Sequence, residues 1–571
     1  MEYDVEFHGV SFRYAGAQKD ALSKIDLKIP TGEIVLVTGP AGSGKTTFCS
    51  CINGLVPHYH EGELSGEVIV RSYHTRRARI GGLASLVGMV FQDPESQLVT
   101  SSVADEVAFG PENLGVPRAE INQRVSQALS STRLLGFEDR EPHNLSGGEQ
   151  QACAIAATYA MHPEVYVMDE PLANLDPAGR RQVLQVLIDV AKGRQKTLII
   201  VEHSLEEVLP LVNRVLVMDG GQIVRDGTVD EVLAAGDIPR VFTRPAIVRL
   251  ADKFGLDLKT FSAEKLYADL NARKPLGKIS PDEDKPPQRS ANASMPIIEI
   301  RDVHYSYKNQ TSALRGVSLT VHAGELVAIL GRNGSGKTTL ARHIIGLLQP
   351  ERGKVSVAGR DVASTPTHEL TQEIGFCFQN PNHQLVAFNV RDEMTFGLKA
   401  HNIDPSEFDQ RVQRALELVD LLDVAEAEIF DLGKGQKQRL ALASVLTLEP
   451  KILIIDEPTT GQDPEMTREI FDILKHLNEL GTTVLMITHR VDYAAAYASR
   501  AVVLNQGQIA FDGPILELIS NMEIMQANSL DLPDITKLAL QLHKHGVPPW
   551  TIQYEKLEGY LMQLVDGSHG D

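Results

Sequence analysis

Two glycine-rich segments with the same spacing carry the first chemical signal. GPAGSGKT at 39–46 and GRNGSGKT at 331–338 both fit the pattern G-x-x-x-x-G-K-[ST], follow an apolar run and precede a helix-compatible stretch. Backbone N–H groups of such a turn cradle phosphate oxygens, its lysine meets the β- and γ-phosphates, and its hydroxyl residue ligates Mg²⁺. The pattern predicts two sites for a nucleoside triphosphate with Mg²⁺, on a first and a second phosphate loop.

The candidate phosphate-binding residues are the loops with the threonine that follows each of them. In the first loop they are Gly39, Pro40, Ala41, Gly42, Ser43, Gly44, Lys45, Thr46 and Thr47. In the second loop they are Gly331, Arg332, Asn333, Gly334, Ser335, Gly336, Lys337, Thr338 and Thr339.

Two apolar runs end in an acidic pair, Asp169-Glu170 and Asp456-Glu457. A carboxylate at the end of a parallel strand lies beside a phosphate loop, where the Asp can hold Mg²⁺ and the Glu can polarise an attacking water. A solvated strand end is the alternative. The recurrence of the pair at the same distance from the other motifs favours catalysis.

The motifs recur because the chain contains two copies of one domain. A separation of 287 residues relates Gln92 to Gln379 and also Asp169 to Asp456. Lys45 and Lys337 are 292 residues apart, since the first copy has five extra residues before its glutamine. A repeat this long indicates duplicated domains and not a solenoid.

Apolar runs such as EIVLVTG, TLIIVEH and TVLMITH alternate with helical stretches. This alternation predicts an α/β fold with a largely parallel, buried sheet in each copy. The predicted divisions are a first domain at 1–235, its helical extension at 236–273, a linker at 274–296 rich in Pro, Ser and charge, a second domain at 297–515 and a C-terminal helical extension at 516–571.

The composition excludes several classes of protein. A formal charge of −20 over 571 residues disfavours nucleic acid as the main partner, and the basic run at 71–79 is better explained as a solvated edge. Four cysteines are too few for a disulfide framework and fit a reducing cytosol. The sequence predicts neither a membrane span nor a secretory leader. His58, His60 and His74 lack the paired spacing of metal ligands and are expected to be loop residues.

The segment LSGGEQQ at 145–151, placed before the acidic strand end and before His203, resembles the signature of ATP-binding cassette ATPases. The resemblance covers about 1–235 and 297–515, and it implies two tandem P-loop cassette domains, each with a sheet core and a helical subdomain. It also implies ATP and Mg²⁺ as ligands. The D-loops would be ANLD at 173–176 and TGQD at 460–463.

Further roles follow from the same resemblance. Tyr14 and Tyr307 would stack on adenine, although packing is an open alternative. The catalytic set would be Glu170, Glu457, the switch histidines His203 and His489, and the Q-loop residues Gln92 and Gln379. The metal set would be Thr46, Gln92, Asp169, Thr338, Gln379 and Asp456.

The second signature segment, DLGKGQKQRL at 431–440, departs from the first, NLSGGEQQAC at 144–153. Ser146, Gly147 and Gly148 of the first align with Gly433, Lys434 and Gly435 of the second. In the family each ATP lies between the phosphate loop of one domain and the signature of the other, and here the two domains are expected to pair within one chain. The first phosphate loop would then face the altered signature, which lacks the hydroxyl that should reach the γ-phosphate. Alternatively, Lys434 substitutes a charge for the lost hydroxyl and this site still works.

A narrower resemblance is to the ATPase subunits of energy-coupling factor transporters, the cobalt and vitamin uptake class. It rests on SSVADEVAFGPENLGV at 101–116, on FQDPESQLV at 91–99 and FQNPNHQLV at 378–386, and on LDLPDITKLALQLHKHG at 530–546. It implies a polytopic transmembrane coupling subunit, a small substrate-binding membrane subunit and a peripheral position on the cytoplasmic face of the cell membrane. The micronutrient is not indicated.

Two alternatives come from other classes. Tandem cassettes also act on ribosomes or other cytosolic machines, and cassette pairs also serve importers or exporters with large transmembrane domains. The first alternative calls for basic extensions or a long helical connector, which the acidic chain and its linker do not offer.

Overall fold

The computed structural model describes residues 2–145, 147–173, 175–194, 196–273, 275–279, 295–307, 312–458 and 464–566. The chain divides into two compact units, residues 1–261 and 262–571. Part of the predicted linker, 280–294, lies outside the described residues. Within the described part, no helix has both the length and the apolar composition to cross a bilayer.

The first unit contains ten strands and ten α-helices among its described residues. The strands are β1 (Tyr3–Tyr14), β2 (Leu22–Pro30), β3 (Ile34–Thr38), β4 (Gly62–Val70), β5 (Tyr73–His74), β6 (Val87–Val90), β7 (Val165–Asp169), β8 (Thr197–Val201), β9 (Arg214–Asp219) and β10 (Gln222–Thr228). The helices are α1 (Lys45–Asn53), α2 (Leu55–His58), α3 (Ile80–Ala84), α4 (Val103–Asn113), α5 (Arg118–Ser131), α6 (Gly147–Ala160), α7 (Pro177–Arg194), α8 (Leu205–Val208), α9 (Val229–Ala234) and α10 (Ala246–Lys253).

Two sheets form the frame of this unit. The central sheet has the order β10-β9-β3-β8-β7-β6 and is parallel except for β10. A separate antiparallel sheet has the order β2-β1-β4-β5. The helices α4, α5 and α6 pack on one another as a helical subdomain. The predicted α/β class, with a largely parallel core and a helical subdomain, is confirmed.

The central sheet is covered on both faces, which explains its uninterrupted apolar strands. In β3, Val35 and Val37 belong to the core shared with the antiparallel sheet and α1, whereas Leu36 belongs to the core shared with the helical subdomain. Successive side chains of a strand point to opposite faces, so one short apolar run supplies both cores.

A buried carboxylate joins the two sheets of the first unit. Asp4 on β1 is 1% exposed and accepts hydrogen bonds from Thr197 Oγ1 of β8 at 2.6 Å and from Thr31 Oγ1 at 3.0 Å. Arg71 Nε lies 3.4 Å from Asp4 Oδ1, and the Arg71 guanidinium also donates a hydrogen bond to Glu164, the residue just before β7. These bonds compensate the desolvation of Asp4 and tie the antiparallel sheet to the central one.

The second unit repeats this architecture and adds helices at both ends. Its strands are β11 (Pro296–Ser306), β12 (Ser312–His322), β13 (Leu326–Leu330), β14 (Arg352–Val357), β15 (Arg360–Asp361), β16 (Ile374–Cys377), β17 (Ile452–Asp456), β18 (Thr483–Ile487), β19 (Arg500–Asn505) and β20 (Gln508–Pro514). Its helices are α11 (Ala263–Arg273), α12 (Lys337–Ile344), α13 (Thr367–Leu370), α14 (Val390–Ala400), α15 (Phe408–Leu418), α16 (Lys434–Leu446), α17 (Pro464–Glu479), α18 (Val491–Tyr497), α19 (Ile515–Ser520), α20 (Met522–Ala527), α21 (Asp534–Leu542) and α22 (Tyr554–Asp566). The sheets have the orders β16-β17-β18-β13-β19-β20 and β12-β11-β14-β15.

The helix α11 differs from its predicted assignment. The sequence analysis placed 236–273 with the first domain, but α11 lies in the second unit and packs on α21. The residues after α11 are bonded to the C-terminal helices as well: Gly277 N donates to Leu564 O at 3.1 Å and Ile279 N donates to His545 O at 2.9 Å. The C-terminal part therefore anchors the end of the segment that leaves the first domain.

Candidate active site

The first phosphate loop connects the end of β3 to the start of α1. Gly39 has a φ of 144°, and a Cβ at this position would lie 2.0 Å from the carbonyl oxygen of Met218, so the loop requires glycine here. Lys45 Nζ donates to Gly39 O at 2.9 Å and to Pro40 O at 2.8 Å. Its ammonium group therefore lies within the curve of the loop, where a phosphate group would be held.

The second phosphate loop has the same geometry between β13 and α12. Lys337 Nζ donates to Gly331 O at 2.8 Å and to Arg332 O at 3.0 Å. All the candidate phosphate-binding residues lie in these two loops and in the first turns of α1 and α12. The structure thus places each set of predicted residues at the N-terminus of a helix, where N–H groups favour an anion.

The sheet order explains why the distant motifs meet. Strands β3, β8 and β7 are neighbours and parallel, so their carboxyl ends lie at one edge of the sheet. The phosphate loop follows β3, His203 follows β8, and Asp169 is the last residue of β7. This edge is the usual ligand-binding edge of an open α/β sheet.

Glu170 is the centre of the first cluster. Gln92 Nε2 donates a hydrogen bond to Glu170 Oε2, and His203 Nε2 lies 3.2 Å from Glu170 Oε1. Thr46 forms a side-chain hydrogen bond with the neighbouring Asp169. The structure therefore brings together a glutamine, a glutamate and a histidine that lie far apart in sequence.

The second cluster is similar but not identical. Thr338 Oγ1 donates to Asp456 Oδ2 at 2.7 Å, and His489 Nδ1 lies 2.9 Å from Glu457 Oε2. The side chain of Gln379 is exposed, and within the described residues no hydrogen bond joins it to Glu457. Glu170 and Glu457 both have a left-handed backbone, with φ of 50° and 46°.

Burial controls the charge of these carboxylates. Burial and the charge of Glu170 raise the pKa of Asp169 to about 6, and burial raises the pKa of Asp456 to about 6 against the hydrogen bond from Thr338. Burial would also raise the pKa of Glu457, but the charge and hydrogen bond of His489 hold it below its ordinary value. Glu457 is therefore a carboxylate at neutral pH, as a base must be.

The second cluster also has oxygen atoms suited to Mg²⁺ and phosphate. Asp456 Oδ1 and Ser335 Oγ are buried and lack a hydrogen-bond partner within the described residues. Buried polar atoms are ordinarily satisfied, and carboxylate and hydroxyl oxygens are the ligands that Mg²⁺ prefers. The residues present thus fit a nucleotide with Mg²⁺.

The two predicted adenine-stacking tyrosines occupy equivalent places. Tyr14 Oη lies 3.0 Å from Thr47 Oγ1, and Tyr307 Oη lies 3.1 Å from Thr339 Oγ1. Each ring therefore sits beside the helix that follows a phosphate loop. Stacking on a base stays a prediction.

The two signature segments begin helices. Gly147 and Gly148 form the start of α6, and Gly433 precedes α16, with its N–H donating to Gln436 Oε1 at 3.0 Å. Lys434 and Gly435 lie in the first turn of α16. The predicted residue Ser146, and 174 and 460–463 of the D-loops, lie outside the described residues.

One buried acid of the first cluster was not among the predicted site residues. Glu202 is 4% exposed and accepts hydrogen bonds from Leu172 N at 2.8 Å and His203 N at 3.2 Å. Burial and the charge of Glu170 raise its pKa to about 8. The second copy has Thr488 at this position. A comparison of VEH at 201–203 with ITH at 487–489 could therefore have identified Glu202 as a feature of the first site alone.

The comparisons with known proteins agree with this geometry. A family described as ABC transporter matches residues 22–173 and 314–460. A protein from Methanosarcina mazei, named as an ABC transporter ATP-binding protein, is 38% identical over 98% of this chain and 97% of its own length. A protein of the same name from Caldanaerobacter subterraneus is 38% identical over 94% of this chain and 95% of its own length.

Among solved structures, cbiO1 from Clostridium perfringens, part of the ABC transporter complex cbiONQ, is 33% identical with a TM-score of 0.38. The match covers 42% of this chain and 97% of that chain. The family match falls on both phosphate loops and both acidic strand ends. The chain therefore belongs to the ABC transporter family, as an ATPase with two ATP-binding cassette domains that binds ATP with Mg²⁺ and hydrolyses it.

Proposed function

We propose that this chain is the ATP-hydrolysing subunit of a micronutrient importer of the energy-coupling factor type. It would bind, from the cytoplasmic face of the membrane, a polytopic coupling subunit that serves a small substrate-binding membrane protein. The motifs at 101–116 and 530–546 support this class. The transported vitamin or metal ion is not specified by the proposal.

The observation that carries the proposal is an apolar groove in the second domain. A cavity of about 280 Å³ lies between the core and the helical subdomain, with Leu347, Phe376, Phe378, Phe396 and Leu448 in its lining. Phe396 is 57% exposed, and Val386 nearby in sequence is 66% exposed. An apolar segment of a membrane subunit would bury this surface.

The groove is connected to the ATP site through the segment after Gln379. Gln384 lines the groove, accepts a hydrogen bond from Phe378 N at 3.1 Å and donates to Ala441 O of α16 at 2.6 Å. A partner in the groove would therefore contact the segment that follows the Q-loop glutamine and the helix that begins at the signature. Differential binding to two states of these elements would couple transport to the nucleotide.

The catalytic roles are assigned as the phosphate-loop motif and the family resemblance imply. Lys45 and Lys337 would bind the β- and γ-phosphates, while Thr46 and Thr338, Asp169 and Asp456, and Gln92 and Gln379 would hold Mg²⁺. When bound, Mg²⁺ supplies positive charge that stabilises the transferring phosphoryl group. Glu170 and Glu457 would accept a proton from the attacking water, and His203 and His489 would orient these carboxylates.

We further propose two unequal composite sites, as the family resemblance implies. The second phosphate loop would be completed by Ser146 and Gly148, and the first by Gly433 and Gly435 with Lys434 between them. Only the first signature has a hydroxyl group to reach the γ-phosphate. Most turnover would then occur on the second phosphate loop.

The test of the transporter role is co-purification from membranes. Phe396→Asp places a charge in the groove and should abolish recovery of a polytopic partner while ATP binding is retained. Leu480→Asp is the matched control, because Leu480 is 72% exposed in the same domain and does not line the groove. Recovery of the native chain with ribosomes and without membranes would overturn the proposal in favour of a cytosolic machine.

A further inference from the structure

The first domain has an insertion beside its nucleotide site. The five extra residues of the first copy lie between α1 and β4, where β4 has nine residues and its counterpart β14 has six. The additional residues Gly62, Glu63 and Leu64 pair with Tyr14, Arg13 and Phe12 of β1. In the second domain the corresponding pairing ends at His304 and Arg352.

This pairing fixes Tyr14 within a strand. Ala15 N also donates to Glu61 O at 3.0 Å, so the chain on both sides of Tyr14 is bonded to the insertion or to β4. A Cβ at Gly62 would lie 2.2 Å from Arg13 O, so this close pairing depends on a glycine. The insertion therefore holds the backbone on both sides of Tyr14.

The insertion also extends the aromatic surface of Tyr14. The ring of His60 packs edge-on against Tyr14 at 5.9 Å between centroids, and Tyr59 packs edge-on against His60 at 5.3 Å. Tyr59 is 74% exposed, which is unusual for a large aromatic side chain. Since Tyr14 Oη is 3.0 Å from Thr47 Oγ1, this surface begins at the phosphate-loop helix.

Among the described residues of the second domain, no such surface is formed. Tyr307 packs against Tyr305, which in turn packs against His343, a side chain with 0% exposure. The counterpart of the insertion, GLLQPE at 346–351, contains no aromatic residue. The two nucleotide sites therefore differ on the side of the predicted base, in addition to the difference between the two signatures.

We propose that Tyr59 and His60, together with Tyr14, form a base-recognition wall that binds the purine of the nucleotide at the first phosphate loop. The proposal rests on the nucleotide role proposed above for Tyr14. Aromatic faces stack on a purine, and the imidazole of His60 offers both a donor and an acceptor to the base edge. The first site would thereby select its nucleotide by the base, whereas the described residues of the second site offer Tyr307 for this role.

The test measures binding at the first site only. The Lys337→Ala variant of the full-length chain removes binding at the second site. In this background, His60→Ala and Tyr59→Ala should each weaken Mg-ATP binding about threefold to tenfold, which is the change in affinity expected for the loss of one aromatic contact. Binding of Mg-tripolyphosphate, which has no base, should be unchanged. Leu480→Ala, at an exposed position of the second domain that does not line the groove, is the matched control and should not change the binding of either ligand.

Other results would overturn the proposal. Unchanged ATP binding in both variants would show that the insertion does not contact the base. Equal weakening of ATP and tripolyphosphate would show that the insertion only supports the fold, and failure of His60→Phe to restore ATP affinity would exclude stacking. If Lys45→Ala leaves ATP binding intact in this background, the proposed nucleotide site itself is wrong, and the wall is rejected with it.

Discussion

At the scale of single residues, the two catalytic clusters share their composition but not their contacts. Glu170 contacts both Gln92 and His203, whereas Glu457 contacts His489 and is more deeply buried. The first cluster also contains Glu202, for which the second has Thr488. Unequal behaviour of the two sites can therefore arise within each domain as well as from the signatures.

The proposed inequality predicts different effects of removing the two bases. Loss of a preorganised donor to developing charge costs roughly 3 to 4 kcal/mol, or about 10² to 10³ in rate. The site facing Gly433 and Lys434 should therefore contribute little turnover. Glu457→Gln should nearly abolish steady-state ATP hydrolysis, whereas Glu170→Gln should leave a substantial fraction.

The measurement uses both purified variants assembled with the membrane partner, and ATP binding is the control for each. Equal losses of hydrolysis would contradict the inequality. A greater loss in Glu170→Gln would mean that Lys434 actively replaces the serine or that the half-sites pair differently.

Glu202 predicts a pH dependence of stability. Its pKa is raised from 4.5 to about 8 in the folded state, so between these values the folded chain holds a proton that the unfolded chain releases. The stabilisation is fully present below about pH 4.5 and is lost as pH rises toward 8. Glu202→Gln should flatten this decline.

The check is the unfolding temperature of the first unit at several pH values from 5 to 8. The slope is the informative quantity, because Gln also places an amide near His203 N and shifts stability at every pH. Parallel curves for the two proteins would show that Glu202 does not hold this proton.

At the scale of elements, the buried Asp4 connects the two sheets of the first unit through hydrogen bonds. Removing one partner of a buried, hydrogen-bonded charge is strongly destabilising, whereas exposed ion pairs contribute at most about 1 kcal/mol. Asp4→Ala should therefore lower the free energy of unfolding of the first unit by about 3 kcal/mol. Asp20→Ala breaks an exposed pair with Arg13 and should cost much less than Asp4→Ala.

Denaturant unfolding followed for the first unit compares the two variants. Similar losses in Asp4→Ala and Asp20→Ala would mean that the sheets are held together by apolar packing alone.

The elements also show what the sequence could and could not indicate. Runs such as EIVLVTG predicted the parallel sheet because both faces of its strands are buried, as Leu36 and Val37 illustrate. The phosphate loops were predictable because their spacing is local. The antiparallel sheet was not predicted, and neither was the contact of His60 with Tyr14, because each depends on the pairing of β1 with a distant strand.

At the scale of the whole molecule, the second unit includes the helix α11, which precedes the second cassette domain in sequence. The sequence predicted helix at 236–273 but could not show which elements α11 packs on, because its partner α21 lies more than 250 residues away in sequence. Tyr267 Oη on α11 lies 3.3 Å from His545 Nε2, and His545 Nδ1 lies 2.9 Å from Gly277 O. The C-terminal extension therefore holds α11 and the residues after it within the second unit.

A pair of glycine substitutions tests this anchor. Gly546 has a φ of 98°, and a Cβ there would lie 2.1 Å from Ile279 O, so Gly546→Ala should separate the connector from the C-terminal helices. The unfolding temperature of the second unit should fall by several degrees, because both the backbone strain and the lost bonds act in the same direction.

The control is Gly559→Ala in α22, where a Cβ meets nothing within 4 Å. This change should be neutral or stabilising by up to about 1 kcal/mol, since Ala is the better helix former. An unchanged unfolding temperature in Gly546→Ala would show that residues 275–279 are not held by the C-terminal extension.

The left-handed backbone conformation of Glu170 and Glu457 lowers the stability of each domain at the position of its proposed base. A non-glycine residue in this conformation loses about 1 to 3 kcal/mol, and glycine would adopt it freely. Substitution of either glutamate by glycine would therefore remove the base and at the same time relieve the backbone strain of the domain. A site released from selection would be expected to acquire this substitution. Glu170 carries this cost in a domain whose proposed partner signature has Gly433 where the first signature has Ser146.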